Sequence, residues 1–177
     1  MENPVETPVE KPGIQPLPDG PLAFEAFQPG QTWRSSTVLL RPEMIRRFAA
    51  LTGDHNPIHL DPDFAARTLH RGVIAHGLLI SSLAAGMAYD IGLLGPNILA
   101  LERSESVYRR AARPGDRLYG TVEILSTDPR AGRRVGRVTW DTRVLQEREA
   151  GDREVCRVVW TTLVFKEAFL PRPAAAE

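Results

Sequence analysis

The stretch from Gly77 to Tyr89 constrains the fold more than any other. Ile80, Leu83, Ala84 and Met87 recur on one side of a helix, and Leu78, Leu79 and Ala88 fill much of the rest. A helix that is apolar nearly all round is expected inside a protein, where a second layer covers it. The wider apolar run from Val73 falls short of the roughly 20 residues of a membrane span, and Ser81, Ser82 and Gly86 weaken that reading further.

What covers this helix follows it in the chain. After Gly95-Pro96 the period changes, and four strands are predicted over Ile98–Arg109, Asp116–Leu125, Arg134–Gln146 and Glu154–Phe165. Val138, Trp140 and Val144 share one face, as do Val155, Val159, Leu163 and Phe165. The breaks at Thr127–Gly132 and Glu149–Asp152 are of hairpin type, so the strands should run antiparallel. Upstream, Trp33 and Thr37–Leu40 predict a strand within Gln31–Leu40. Pro42 then opens a helix carrying Met44, Ile45, Phe48 and Leu51, which Gly53 stops. Residues 54–72 read as an irregular or short-helical excursion. Helices early and a strand meander late make the chain α+β.

Its 177 residues suit one domain. Residues 1–23 carry repeated prolines and acidic groups with few large apolar ones, so they read as an extended arm, able to wrap a neighbouring subunit. The domain is expected over 24–168, with a frayed tail at 169–177. A formal net charge of +0 gives no steering towards nucleic acid. Lys11 and Lys166 are the sole lysines, so positive charge is nearly all arginine, which grips phosphate in a planar, two-pronged way. Cys156 is the single cysteine, which excludes an intrachain disulfide and a cysteine-based metal site and fits a reducing compartment. With no basic segment leading into an apolar core at the N-terminus, the expected location is cytoplasmic.

The chemistry is concentrated in Leu51-Thr52-Gly53-Asp54-His55-Asn56-Pro57-Ile58-His59-Leu60 and in Ala75-His76-Gly77. Asp54 and His59 flank an Asn-Pro turn, outside regular elements, so a carboxylate and an imidazole can face one volume and share proton transfer. Gly77 opens the long helix, whose first N–H groups can bind developing negative charge. Each residue has a plainer role open to it. Asp54 can be a turn residue binding backbone N–H groups, Asn56 a turn former, and His76 a hydrogen-bonded loop anchor rather than a ligand contact. His55 and His70 are expected at the surface. A zinc site is set aside because no His-x-x-x-His pair stands on a helix face.

Thr52-Gly53-Asp54-x-Asn56-Pro57-Ile58-His59, Asp61-Pro62-x-Phe64-Ala65, His76-Gly77-Leu78-Leu79 and Arg113-Pro114-Gly115-Asp116 together resemble the MaoC-like dehydratases and R-specific enoyl-CoA hydratases. The resemblance covers most of the chain after about Phe24. It implies a hotdog fold, a curved antiparallel sheet wrapped around the long helix. It implies hydration of a 2-enoyl thioester or the reverse dehydration, with Asp54 as base, His59 as proton donor to C2 and the Gly77 N–H on the thioester oxygen; reversed or shared roles stay open. Asn56, His76, Ser81 and Ser82 are the further substrate-binding candidates, and small residues at Ala84, Ala85 and Gly86 leave room for an acyl chain. No cofactor beyond coenzyme A in the substrate and no metal are expected, and the partners are an acyl-CoA and a second copy in a homodimer or larger assembly.

Two departures stand out. Ala85 precedes Gly86 where the family often has serine, so a hydrogen bond near the dyad is either missing or supplied by Ser81 or Ser82. Arg110-Ala111-Ala112 replaces an apolar-to-proline step, which bears on substrate range; Arg71, Arg103 or Arg109 can pair a distal carboxylate. A hotdog thioesterase and a catalytically silent acyl-CoA-binding subunit are the rival readings.

Overall fold

The computed structural model describes residues 13–171. In chain order the elements are β1 (Thr32–Arg34), β2 (Val38–Leu39), α1 (Pro42–Thr52), α2 (Pro57–Leu60), α3 (Pro62–Ala66), α4 (Gly77–Asp90), β3 (Ile98–Tyr108), β4 (Arg117–Asp128), β5 (Val135–Gln146) and β6 (Arg153–Phe165). The sheet runs β1-β4-β5-β6-β3, every pair antiparallel, with β2 also on β4. Helix α4 packs against β4, β5 and β6. This is the expected hotdog arrangement, and the predicted strand ends agree with it to within three residues.

Alternation explains how sheet and helix meet. Val122, Ile124, Val138, Trp140, Val144, Val158 and Val164 point to one side and are buried together with Ile80, Ala84 and Met87 of α4. Each fully buried Val, Ile or Met is worth about 1.5–3 kcal/mol relative to exposure. The Trp140 indole N–H in this layer donates to Thr162 Oγ1 at 2.8 Å, so the buried indole is not an orphan donor. Gly120 lets α4 come close, because a Cβ there would stand 3.1 Å from Met87 Cβ.

Four expectations need correction. The strand predicted over Gln31–Leu40 is two short strands. Between them Ser35 Oγ accepts from Gly120 N–H, and the Asp90 carboxylate accepts from Ser36 N–H and Oγ–H, so side chains replace the ladder and clip the segment to the end of α4. His59, expected outside regular structure, lies inside α2, which Asn56 caps by accepting from Ile58 N–H at 3.1 Å. The tail expected from Phe169 begins later, since Phe169 closes a short 3₁₀ turn over Glu167–Phe169 beneath the Arg134 guanidinium.

The fourth correction concerns α4 itself. Leu79, Ile80, Ala84, Met87 and Ala88 are buried, whereas Leu78 and Tyr89 are 66% and 69% exposed. A single sheet covers one side of a helix, so the opposite stripe stays bare within one copy. Strand β6 shows the converse ambiguity. Val159, Leu163 and Phe165 do share a face, but it is the half-buried outer one; Val155, expected with them, is buried beside the register shift at Val144/Leu145, and Val158, Trp160, Thr162 and Val164 form the core face. At the N-terminal side, Ile14 bridges Thr32 in parallel and Gln15 N–H donates to Thr32 O at 2.7 Å, so this part of the expected arm lies on its own subunit. Residues 1–12 lie outside the described residues.

Candidate active site

Glycine sets the start of the site. Gly53 caps α1 at φ 76° and its N–H donates to Ala49 O, which turns the chain so that Asp54 leaves the helix end. Asp54 is then fixed locally: its N–H donates to Thr52 Oγ1 and its Oδ1 accepts from Asn56 N–H, both at 3.3 Å. This is the turn role open to Asp54 from sequence, and it leaves the carboxylate exposed with further lone pairs available.

Two carbonyls fix the histidines. His59 Nδ1 lies 2.8 Å from Ile74 O, and His76 Nε2 lies 3.0 Å from Asp54 O. A carbonyl can only accept, so each of these ring nitrogens carries its proton. The unengaged nitrogen of His59 is therefore Nε2. His76 is buried, its Nδ1 meets no partner among the described residues, and it caps no N–H of α4 with its side chain. Its ring stacks on that of His59 with centroids 3.8 Å apart and planes tilted by 32°, and Phe48 packs on it at 5.1 Å. His76 thus ties Asp54 to α4 and supports the His59 ring, which is the anchoring role.

Gly77 continues directly from His76. Being the first residue of α4, it has an N–H without an intrahelical acceptor. A Cβ at Gly77 would stand 3.2 Å from Cε1 and Cζ of Tyr108. Tyr108 Oη in turn is 3.2 Å from Ser81 Oγ. A cavity of about 410 Å³ is lined by His59, Gly77, Ile80 and Tyr108, so the imidazole, the helix N-terminus and the phenol meet in one volume. Tyr108 was not among the sequence candidates, because a tyrosine ending an alternating strand carries no signal until the strand is placed beside Gly77.

The other candidates divide. Asn56 caps α2 and is exposed. Ser81 Oγ donates to Leu78 O and reaches Tyr108, while Ser82 Oγ donates to Leu78 O at 2.7 Å. Ser81, Ser82 and Ala85 line a separate cavity of about 700 Å³ with Leu94, Ile98, Leu101 and Trp160. His55 is exposed, as expected, yet lines a third cavity on the other side of His59. His70, also exposed, stands in the wall of the His59 cavity.

Asp54, His59 and His76 each offer one metal-ligand atom, and these lie within 4.8 Å of one another. This grouping comes from a loop, α2 and the start of α4, not from one helix face. The fit to an ion is poor: ring planes tilted by only 32° and stacked 3.8 Å apart do not bring their in-plane lone pairs to one point about 2.0–2.1 Å from each nitrogen. Proton transfer needs no such convergence. A ring nitrogen and a helix N–H in the wall of one cavity, with a carboxylate oxygen within 4.8 Å of that imidazole, can hold a water, move a proton and stabilise an oxyanion.

Comparison with known proteins points to one family. Residues 25–147 match the family model described as MaoC like domain. The chain is 35% identical over 103 residues to the (R)-specific enoyl-CoA hydratase of Aeromonas caviae, covering 58% of this chain and 75% of that one. It is 37% identical over 108 residues to the 3-hydroxybutyryl-CoA dehydratase of Methylorubrum extorquens, covering 61% and 67%. The unliganded R-hydratase of Pseudomonas aeruginosa superposes with a TM-score of 0.68 at 28% identity, over 87% of this chain and 96% of that one.

Proposed function

The chain belongs to the MaoC-like domain family, and from that premise we propose that it is a carbon–oxygen lyase adding water to, or removing it from, a 2-enoyl or 3-hydroxyacyl thioester. The observation that carries this reading is the Asp54–His59 pair held beside the Gly77 helix start. The names of the relatives, a hydratase and a dehydratase, support the reaction class in both directions.

In the hydration direction Asp54 takes a proton from water as its oxygen bonds to C3. The electron pair of the alkene moves to C2 and the thioester oxygen, where the Gly77 N–H meets the enolate charge. C2 then takes a proton from Nε2 of His59, whose ring enters this step protonated on both nitrogens and leaves it neutral, and the C2–H bond completes the 3-hydroxyacyl thioester. Ile74 O suits this role, since it accepts from Nδ1–H whether the ring is neutral or cationic and leaves Nε2 as the exchanging atom. Asp54 and His59 return to their starting states by proton exchange with solvent. The mechanism calls for no metal and no cofactor beyond the carrier of the substrate.

The active form we propose is a homodimer or an assembly of dimers in the cytoplasm. Strand β3 ends the sheet with Leu99 and Leu101 exposed, beside the bare stripe of α4, and an open edge of this kind is ordinarily paired or covered. No helix among the described residues is long and apolar enough to cross a membrane. The test follows enoyl absorbance and free thiol together on a panel of 2-enoyl-CoAs. Loss of the enoyl signal without thiol release is the expected result, and thiol release with an intact alkene would make the protein a thioesterase instead. Activity that survives dialysis against a chelator is expected, and its loss would return the Asp54, His59 and His76 cluster to consideration as a metal site.

A further inference from the structure

The cavity holding His59 and Gly77 has an uneven wall. Ile74, Ala75 and Ile80 make it apolar near the helix, and Arg109 and Arg110 make it cationic on the far side. These arginines directly follow β3, and the backbone N–H groups of both donate to Val155 O, at 2.8 and 3.2 Å. The pair is thereby pinned to the start of β6. Its countercharge is small. Arg109 Nε lies 3.4 Å from Glu154 Oε1, while Arg110 Nη1 donates to the backbone oxygen of Glu154 at 3.2 Å. Of the pair, Arg109 alone engages the Glu154 carboxylate, Arg110 meets only a backbone carbonyl, and each guanidinium keeps N–H groups to spare from the five it carries.

The opposite side of the site differs in kind. Beyond the Tyr108–Ser81 contact, the larger cavity is walled by Leu94, Ile98, Leu101 and Trp160. An apolar chain and an anionic carrier joined by a thioester would separate to these two sides. Resting on the function proposed above, we propose that Arg109 and Arg110 bind the phosphate groups of a coenzyme A carrier, with the acyl chain directed to the Ser81 side. Forked guanidiniums match phosphate oxygens two at a time, which suits a phosphorylated small molecule entering a concave wall.

The experiment compares wild type, the double variant Arg109→Gln/Arg110→Gln and the distant control Arg130→Gln. Each is given the same enoyl group on coenzyme A, on pantetheine without phosphates, and on an acyl-carrier protein. The expected result is a fall of about tenfold or more in kcat/KM for the coenzyme A thioester in the double variant, through KM, with a change of about twofold or less for the pantetheine thioester. Equal losses on both, no loss on the coenzyme A thioester, or a loss confined to the carrier protein would overturn the proposal. Calorimetric binding of free coenzyme A provides the readout that does not depend on turnover. Weakening of about tenfold or more in the double variant supports the arginine site even if no enoyl thioester is hydrated, a result that would count against the function alone; unchanged affinity overturns the arginine site.

Discussion

At the scale of single residues, the proposed site divides into groups assigned to move protons and groups that hold them in place. Asp54→Asn and His59→Ala each remove a group proposed to transfer a proton, and a fall in kcat of about 10²- to 10⁴-fold is expected for each. His76→Ala removes the tether from Asp54 O, so it should lower activity while leaving the enoyl-CoA reaction qualitatively intact. At Gly77 the constraint is steric. A methyl group 3.2 Å from the Tyr108 ring forces either the ring or the first turn of α4 to shift, so Gly77→Ala should lose about 10²- to 10³-fold if the N–H is displaced. Adding Tyr108→Ala to that variant should recover part of the loss, and strict additivity would show that the ring is not the obstacle.

Cys156 offers a residue-scale test that leaves the site alone. Burial pushes its thiol up to about 11 from an ordinary value of 9. The folded protein then holds this proton more tightly than the unfolded chain, so its contribution is fully present below pH 9 and is lost as pH rises through 11. Denaturant titrations at pH 8 and above should show a stability slope that is shallower in Cys156→Ala than in wild type.

The elements hold the site through close approaches that glycine permits. Gly136 lies against the Phe24 ring, and a Cβ there would collide with it. Gly136→Val should therefore destabilise the fold by about 1–3 kcal/mol through overpacking of β5, read as a lower midpoint of denaturant unfolding. Much at this scale was legible beforehand. The two-residue alternation in β5 and the capping glycine of α1 follow from side-chain geometry and backbone freedom, and both are local properties. The phase of β6 was not legible, because Val159 and Leu163 on its outer face are as apolar as Val158 and Val164 on its core face. Nor was the interruption between β1 and β2, which depends on Asp90 arriving from the far end of α4. The Asp54–His59 pair could be read because its turn is local. Tyr108 could not, since its place beside Gly77 exists only after β3 pairs with β6.

For the whole molecule, the exposed stripe of α4 and the open edge of β3 point outward from one copy. A homodimer closing that edge predicts that Leu99→Lys/Leu101→Lys shifts the protein to monomer in sedimentation, while a wild type that sediments as monomer would remove the assembly proposed here. Activity should fall with the dimer, because Tyr108 ends the same strand. The most direct measurement is the mass of the product formed from a 2-enoyl-CoA by wild type and by Asp54→Asn. The account predicts a thioester one water heavier than the substrate with wild type, formed far more slowly by the variant. A product of free acid and free thiol, or equal hydration by both proteins, would contradict it.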